Sequence, residues 1–443
     1  MDKAEREALA ARALAFAGAG EHEILVVDSD LSLTRFTQNA IHQNVAHCET
    51  TIRVRTVSDG CTGVAATNLL DDAAVRAVVE RAATMAAFAP RDAVFPGLPA
   101  GAPTTAPANA FVAATATASP DLRAKLAADV FAVSERDGLW AAGFVKTGRD
   151  SVTIANSRGT LASFDGTDAG MNVKQNGPTS TGFAEYHSSD VSDVDARRVA
   201  EVAAKKVRDS SEPRAVDPGE WTVILEPPAF GELLSYITDH FSAQAYDEGS
   251  SFLSEGLDRP YVAENVSIRD DFSHPLAPAM PFDYEGVPKQ RVALFENGVA
   301  KNVVTDSYWA AKLERPNTGH ALPAPNAYGP VPMNVVVEPG TKSVEQLISE
   351  TKRGLLISRF WYIRPVDLRQ TIVTGMTRDG TFLIENGKIA GGVRNLRFNQ
   401  SILAALGNVE FASEPARSAS YSYANVVPAA KLASFRFTSL TDF

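Results

Sequence analysis

The side chains best suited to binding chemistry form one dense group late in the chain, in the segment SRFWYIRP. Arg359, Trp361, Tyr362 and Arg364 place two guanidinium groups beside aromatic rings. Guanidinium groups pair with carboxylates, and an exposed sheet edge can accept an extended peptide as an added strand. These four residues are therefore candidate peptide contacts, although ordinary packing on a sheet face would use the same amphipathic side chains. His320, in the loop segment NTGHALP, is a further candidate because loops often carry functional residues.

Other catalytic patterns are weak or absent in the sequence. The chain contains no GxSxG, P-loop or GxGxxG motif. His47 adjoins Cys48, but neighbouring residues of a strand point to opposite faces, so this pair is poorly placed for nucleophilic catalysis. Asp239, Asp247 and Glu248 form an acidic run that reads as a solvated helix end.

The elements that must position SRFWYIRP alternate apolar and polar residues in short runs over residues 354–403. Two turn signals interrupt these runs, at Arg378–Gly380 (RDG) and at Glu385–Lys388 (ENGK). Asp-Gly and Asn-Gly favour tight hairpin turns, because both central residues of such turns have positive φ. The pattern predicts a meander of antiparallel strands, and a plain sheet core without function fits the same pattern.

Composition narrows the class of protein. A chain of 443 residues predicts two domains. The net charge of −11, without a cluster of Lys and Arg, argues against nucleic-acid binding. No apolar run is long enough for a membrane helix, and the charged start of the chain does not read as a signal peptide, so we expect a cytoplasmic protein. Cys48 and Cys61 are not spaced as a metal pair and are expected to be core or semi-buried thiols.

The first half predicts the order helix, three strands, helix, and then repeats it. Residues 90–119 between the two sets are rich in Pro and Ala and predict an irregular connector, with an extended assembly arm as the alternative. The first set comprises a helix at 2–18, strands at 23–30, 32–39 and 48–57, and a helix at 71–89 opened by Asp71 or Asp72. The second comprises a helix at 119–136 capped by Ser119, strands with turns at Gly148–Asp150 and Ser157–Gly159, and a helix at 191–211.

We therefore predict an α+β fold with two domains. Residues 1–215 form an N-terminal domain of helices packed on antiparallel sheet, and they include the connector. Residues 216–443 form a β-rich C-terminal domain with an antiparallel meander or barrel-like sheet. It opens with a strand at 221–226 and a helical run from Pro228 to about Ala245.

The order of motifs in the second half resembles the TldD/PmbA family, the paired subunits of a bacterial zinc peptidase also described as modulators of DNA gyrase. The resemblance extends more loosely over the first half. The net charge argues against taking the gyrase name as DNA contact. The segments that carry the resemblance, besides 354–403, are WTVILEPPAFGELL (221–234), FDYEGVPKQRVALFENGVAKNVVTDSYWAAKL (282–313), NTGHALPAP (317–325) and MNVVVEPGTKSVEQLI (333–348).

The resemblance implies where zinc chemistry would lie. The family's peptidase subunit carries HExxxH on the helix after the strand ending in LEP, where two His bind zinc and the Glu activates water. Here that window reads Ser235-Tyr236-Ile237-Thr238-Asp239-His240, so only His240 remains. Both cysteines lie early in the chain, so the family's C-terminal Cys ligand has no counterpart. We expect no catalytic residue, metal ligand or cofactor in this chain, and we expect His240 to be a solvated or hydrogen-bonded helix histidine.

The resemblance then implies a PmbA/TldE-type subunit. We expect it to pair with a TldD-type, HExxxH-bearing subunit that supplies zinc, and to complete an enclosed chamber for unfolded or flexible peptides. Two alternatives remain open. One is a stand-alone enzyme with an unrecognised site, and the other is a homodimeric peptide-binding or regulatory module without proteolysis.

Overall fold

A computed structural model describes residues 1–102, 104–419 and 424–441. Two sheets organise the chain, one built from the first half and one from the second. The elements of the first half are α1 Lys3–Ala15, β1 Glu21–Thr37, β2 Ala40–Ser58, β3 Cys61–Thr67, α2 Asp72–Phe88, α3 Ala113–Ala116, α4 Pro120–Arg136, β4 Trp140–Asn156, β5 Leu161–Asn176, β6 Thr181–Ser188 and α5 Ala196–Asp209.

The first sheet has the order β3-β2-β1-β4-β5-β6, and every neighbouring pair is antiparallel. Its two halves meet at β1 and β4, and each half brings its own helices. The predicted repeat of helix, three strands and helix is thus confirmed. The predicted caps also hold, because Asp71 accepts a hydrogen bond from the first turn of α2 and Ser119 does the same for α4.

The two faces of this sheet are covered differently. Inward residues such as Ile24 and Val26 pack with α1 and α2, whereas Leu25 points to the opposite face. There it meets Ala110 of the connector and Phe282 of the second half. Because successive strand residues alternate between faces, β1 contributes side chains to two hydrophobic cores. The connector lies against its own sheet, with Val112 N–H donating to Thr167 Oγ1 at 3.0 Å.

Several predicted strand breaks are wrong. Residues 23–30 and 32–37 belong to the single strand β1, residues 38–39 form the turn after it, and β2 and β3 follow as separate strands. The predicted turn at Gly148–Asp150 lies inside β4, which is paired on both sides. Gly148 is needed there because a Cβ would lie 2.6 Å from the Asp30 carbonyl oxygen. Cys48 is exposed on β2 rather than buried, while Cys61 is semi-buried.

The second half contains the larger sheet. Its elements are β7 Gly219–Leu225, α6 Pro227–Thr238, α7 Ala243–Asp247, β8 Ile268–Asp270, β9 Val292–Glu296, β10 Val299–Ala300, α8 Ser307–Lys312, β11 Val335–Val337, α9 Val344–Ser349, β12 Arg353–Asp367, β13 Ile372–Glu385, β14 Lys388–Gly392, β15 Leu396–Ser401, α10 Ile402–Leu406, β16 Val409–Ala419 and β17 Ala424–Leu440.

Part of this sheet closes on itself. Strands β17, β15, β13, β12 and β7 pair in that order, and β7 also pairs with β17. The barrel-like prediction is therefore confirmed, but the sheet is mixed, because β12 runs parallel to β7 and β11 runs parallel to β17. The ring surrounds the largest core, with Phe360, Phe398 and Phe435 in mutual ring contact.

The two turn signals of the meander have different outcomes. The Asn-Gly signal is confirmed, since Asn386 and Gly387 have φ of 51° and 77° between β13 and β14. The Asp-Gly signal is wrong as a turn. Asp379 and Gly380 also have positive φ, but they form an irregularity inside β13, opposite Ser358 of β12. A bulge requires the same unusual backbone as a turn, so the local sequence does not distinguish the two.

The predicted helical run from Pro228 to about Ala245 is shorter than expected. The α-helix ends at Thr238, a 3₁₀ turn covers Asp239–Phe241, and α7 begins at Ala243. None of the helices in the described parts of the chain is long and apolar enough to cross a membrane.

Candidate functional site

The helix that carries the degenerate HExxxH window is α6, and the barrel fixes it in place. Strand β7 leads directly into it, with Pro227 and Pro228 in the first turn, where proline is tolerated. Phe230, Leu234 and Ile237 are at most 1% exposed in the large core. On the opposite side of the helix the side chains are half-buried.

Two of the three motif positions form structural hydrogen bonds. The Ser235 hydroxyl donates to the Glu232 carbonyl oxygen at 2.7 Å. The Tyr236 hydroxyl donates to the carbonyl oxygen of Ile363 at 2.8 Å and so ties α6 to β12. Tyr236 therefore holds the helix against the sheet and Ser235 bonds within the helix, where the HExxxH pattern would supply a base and a metal ligand.

His240 is placed differently from the sequence expectation. It lies in the 3₁₀ turn after α6 and is 5% exposed, with its ring centroid 5.3 Å from that of Phe252. Of the two expected environments, a solvated or a hydrogen-bonded histidine, the solvated one is wrong, because core packing covers the ring. Burial lowers the pKa of His240 to about 4, so the imidazole is neutral at pH 7.

A cavity of about 600 Å³, here called the motif cavity, opens beside this turn. Asp239, His240 and Ser242 contribute to a polar wall. Val331 and Leu368 contribute to an apolar wall. Leu368 follows the end of β12, so the cavity lies between the motif turn and the tip of the β12–β13 hairpin.

The four candidate peptide contacts on β12 separate into two environments. Arg359 is engaged where the two sheets meet: its guanidinium lies 3.5 Å from Asp379 and 4.5 Å above the ring of Phe183. Trp361 and Tyr362 are 40% and 61% exposed. Arg364 stacks on Tyr362 at 4.3 Å. The exposed members remain available to a peptide or another chain, while Arg359 serves the contact between the sheets.

His320 cannot contact a peptide, because it is 0% exposed. Its Nε2 lies 3.2 Å from Asp270 Oδ1, and its Nδ1 lies 3.0 Å from Thr318 Oγ1. Burial alone would raise the pKa of Asp270, but the neighbouring His320 and Lys289 lower it to about 2. This group anchors the loops beside β8, so the sequence-based interpretation of His320 is corrected to a structural one.

The sequence reasoning missed a buried charge group between the two sheets. The Arg55 guanidinium pairs with Glu23 at 2.5 Å and with Glu285 at 3.0 Å. Burial raises the pKa of Glu23 to about 7 despite the guanidinium beside it. Glu23 and Arg55 are direct cross-strand partners on β1 and β2, so a correct strand register would have signalled their pairing. Glu285, from the second half, could not be placed without the tertiary structure.

A second missed residue is Glu232, one turn before the degenerate window on α6. Burial raises the pKa of Glu232 to about 7, with Arg359 opposing the shift. Within residues 1–102, 104–419 and 424–441, no three His, Cys, Asp or Glu side chains converge in a way that could hold a metal ion.

Family models and solved structures match this architecture. A family model described as the PmbA/TldA metallopeptidase C-terminal domain matches residues 218–439, and one described as PmbA/TldA metallopeptidase domain 1 matches residues 22–86. The crystal structure of TldE from Thermococcus kodakarensis is similar in fold, with a TM-score of 0.87 at 22% identity over 98% of this chain and 99% of that one.

Two curated relatives match over shorter stretches. A zinc metalloprotease TldD homolog from Saccharolobus solfataricus is 27% identical over 211 residues, which are 44% of each chain. A metalloprotease PmbA homolog from Haemophilus influenzae is 30% identical over 196 residues, which are 43% of this chain and 40% of that one. The matches thus span less than half the length of these two relatives. Fold and matches together define a metallopeptidase-related α+β protein. The chain belongs to the PmbA/TldD family.

Proposed function

We propose that this chain is the non-catalytic subunit of a two-chain zinc peptidase that acts on unfolded or flexible peptides. The observation that carries the proposal is the identity of the residues in the window after β7. Ser235 and Tyr236 stand where a zinc-binding His and the catalytic Glu would be required. A single remaining His cannot hold catalytic zinc, because such sites use three protein ligands.

The contacts of the window support this role. Replacing Tyr236 by Glu would destabilise the fold, because the Tyr236 hydroxyl donates to β12 and the ring packs against the large core. The helix therefore stabilises the barrel through Tyr236. In the proposed complex the partner supplies zinc, and this chain supplies a wall that limits entry to extended peptides.

Exposed apolar side chains support a partner-binding surface. Trp361, Tyr362, Val366 and Leu368, on or next to β12, are 40%, 61%, 57% and 54% exposed. Tyr328, in a loop that also lines the motif cavity, is 80% exposed. Large apolar groups that recur along one hairpin are typical of a surface that another chain covers. We infer that this hairpin contacts the zinc-bearing partner.

The test is reconstitution. The purified chain and an HExxxH-bearing partner of the same family are analysed for zinc, molar mass and peptidase activity, separately and mixed. We expect a one-to-one complex with zinc bound by the partner and full activity only in the mixture. Stoichiometric zinc in the isolated chain would overturn the proposal. So would peptidase activity of the isolated chain that resists a chelator, or a homodimer that does not exchange with the partner.

A pair of matched variants tests the surface. Val366→Glu adds a charge to the hairpin and is expected to weaken the complex by at least about tenfold, because a buried charge at an interface is costly. Leu69→Glu changes an apolar residue of similar exposure, 62%, just after β3. It should leave the complex intact. Equal effects of the two variants would place the interface elsewhere.

A further inference from the structure

The motif cavity contains a buried polar group without a partner in the protein. Ser242 is 2% exposed, and its hydroxyl has no hydrogen-bond partner among the described residues. The His240 ring, 5% exposed on the same wall, packs against the Phe252 ring. Buried polar groups are nearly always satisfied, so the Ser242 hydroxyl on this cavity wall indicates a ligand that supplies the missing bond.

The charge of the cavity limits what that ligand can be. Asp239 and Glu248 line it and are exposed, and neither pairs with a Lys or Arg among the described residues. The Glu248 carboxylate accepts a hydrogen bond from Gln244 Nε2, at 3.0 Å. No Lys or Arg is among the described residues of the lining. The cavity therefore repels carboxylates and phosphates and attracts cations.

The acceptors on the polar wall fit one kind of cation. A primary ammonium carries three N–H donors and no acceptor. The Asp239 carboxylate, the neutral imidazole of His240 and the Ser242 hydroxyl are three acceptors of different types in one short segment. The low pKa of His240 keeps its ring uncharged at neutral pH, so it offers a lone pair instead of repelling the cation. A metal ion is a poorer fit, because no three suitable ligands converge among the described residues.

The opposite wall suits an aliphatic chain next to that charge. Leu322, Val331 and Leu368 line the cavity, and Leu368 is 54% exposed at its rim. We propose that the motif cavity binds the primary ammonium group of an extended peptide, either its amino terminus or a lysine side chain. The inference rests on the proposed function only in taking the ligand to be a peptide.

The experiment is calorimetric titration of the isolated full-length chain at pH 7.5 with matched peptides. One probe is a pentapeptide of Ala and Leu with a free amino terminus and an amidated carboxyl terminus. Its N-acetylated form lacks the charge. Two further N-acetylated peptides carry Lys or norleucine at the centre. We expect the free amine or the Lys peptide to bind at least about tenfold more tightly than its neutral counterpart, and the two pairs identify the source of the ammonium.

Variants locate the binding site. Asp239→Asn keeps the size of the side chain and removes its charge, and it should weaken amine binding about tenfold. Glu296→Gln removes an exposed carboxylate at the end of β9, outside the cavity, and should have no effect. Circular dichroism confirms that both variants are folded.

Three results would overturn the inference: equal affinity for charged and neutral peptides, no binding of any peptide at millimolar concentration, or full amine binding by Asp239→Asn. The titrations use the chain without a partner. Failed titrations with successful reconstitution would remove this inference alone. Successful titrations with failed reconstitution would remove the proposed subunit role alone.

Discussion

Replacing His240 by Gln should make the stability of this protein less sensitive to acid. His240 is 5% exposed, and burial is the cause that lowers its pKa to about 4. In the unfolded chain an imidazole has a pKa near 6.5. At mildly acidic pH the imidazole is therefore protonated in the unfolded state and mostly neutral in the folded state. A Gln side chain is neutral and polar at every pH, so His240→Gln removes this linkage.

The magnitude follows from the two pKa values. A group with a depressed folded pKa contributes stability above its unfolded pKa, and the contribution is lost as pH falls toward the folded value. At pH 5 the unfolded histidine is almost fully protonated while the folded one is mostly neutral. The pH is then about 1.5 units below the unfolded pKa, and each unit is worth about 1.36 kcal/mol. His240 should therefore destabilise the fold by about 2 kcal/mol at pH 5 relative to pH 7.5.

Urea denaturation at pH 7.5 and pH 5.0 measures this difference. The free energy of unfolding should fall by about 2 kcal/mol less in His240→Gln than in the wild type. His42 is exposed on β2, so His42→Gln is the control and should follow the wild type. Carboxylates that titrate in this range contribute equally to all three proteins and cancel. An identical pH dependence in wild type and His240→Gln would show that the ring is not desolvated as the structure indicates.

Three further changes test other parts of the fold. Arg55→Met should lower the free energy of unfolding by about 3–5 kcal/mol in urea denaturation, because it leaves two carboxylates buried without a cation; a loss below about 1 kcal/mol would refute the buried pairing. Tyr236→Phe should cost about 1 kcal/mol in the same assay through the lost bond to β12, and an unchanged midpoint would contradict that bond. Gly387→Ala should cost at least about 1–2 kcal/mol, because φ is 77° and a Cβ would lie 2.4 Å from a carbonyl oxygen. Gly18→Ala, with open space around it, is its control, and equal losses would argue against the hairpin geometry.

Local signals in the sequence predicted most element types but not all boundaries. Ser119 and Pro120 mark the start of α4, because capping depends on residues within one turn. Asn386 and Gly387 mark the hairpin after β13 for the same local reason. Asp379 and Gly380 carry an equally strong signal and form a bulge. The difference is that the strand before and the strand after them pair with the same neighbour, β12, which no local pattern reveals.

The sequence also identified some residues of the candidate site and not the environment of others. The residues of the degenerate window, Ser235, Tyr236 and His240, could be read from the chain, because a metal motif is defined by spacing along one helix. The burial of His320 could not be predicted from the chain. Its loop appears in the sequence as a surface segment, yet the ring is fully buried beside Asp270, which lies 50 residues earlier in the chain.

The sequence by itself determined the α+β class, the repeated helix-strand-helix order and the absence of a complete HExxxH pattern. These depend on residue identity and on short-range spacing. The tertiary structure alone decided that β7 and β17 close a ring, that Arg55 joins Glu23 to Glu285, and that His240 and Ser242 line one cavity, where the Ser242 hydroxyl has no partner among the described residues. Burial, pKa and hydrogen-bond satisfaction depend on which distant segments cover a side chain. That coverage is established only when the two sheets pack, because desolvation is a property of the assembled neighbours and not of the residue.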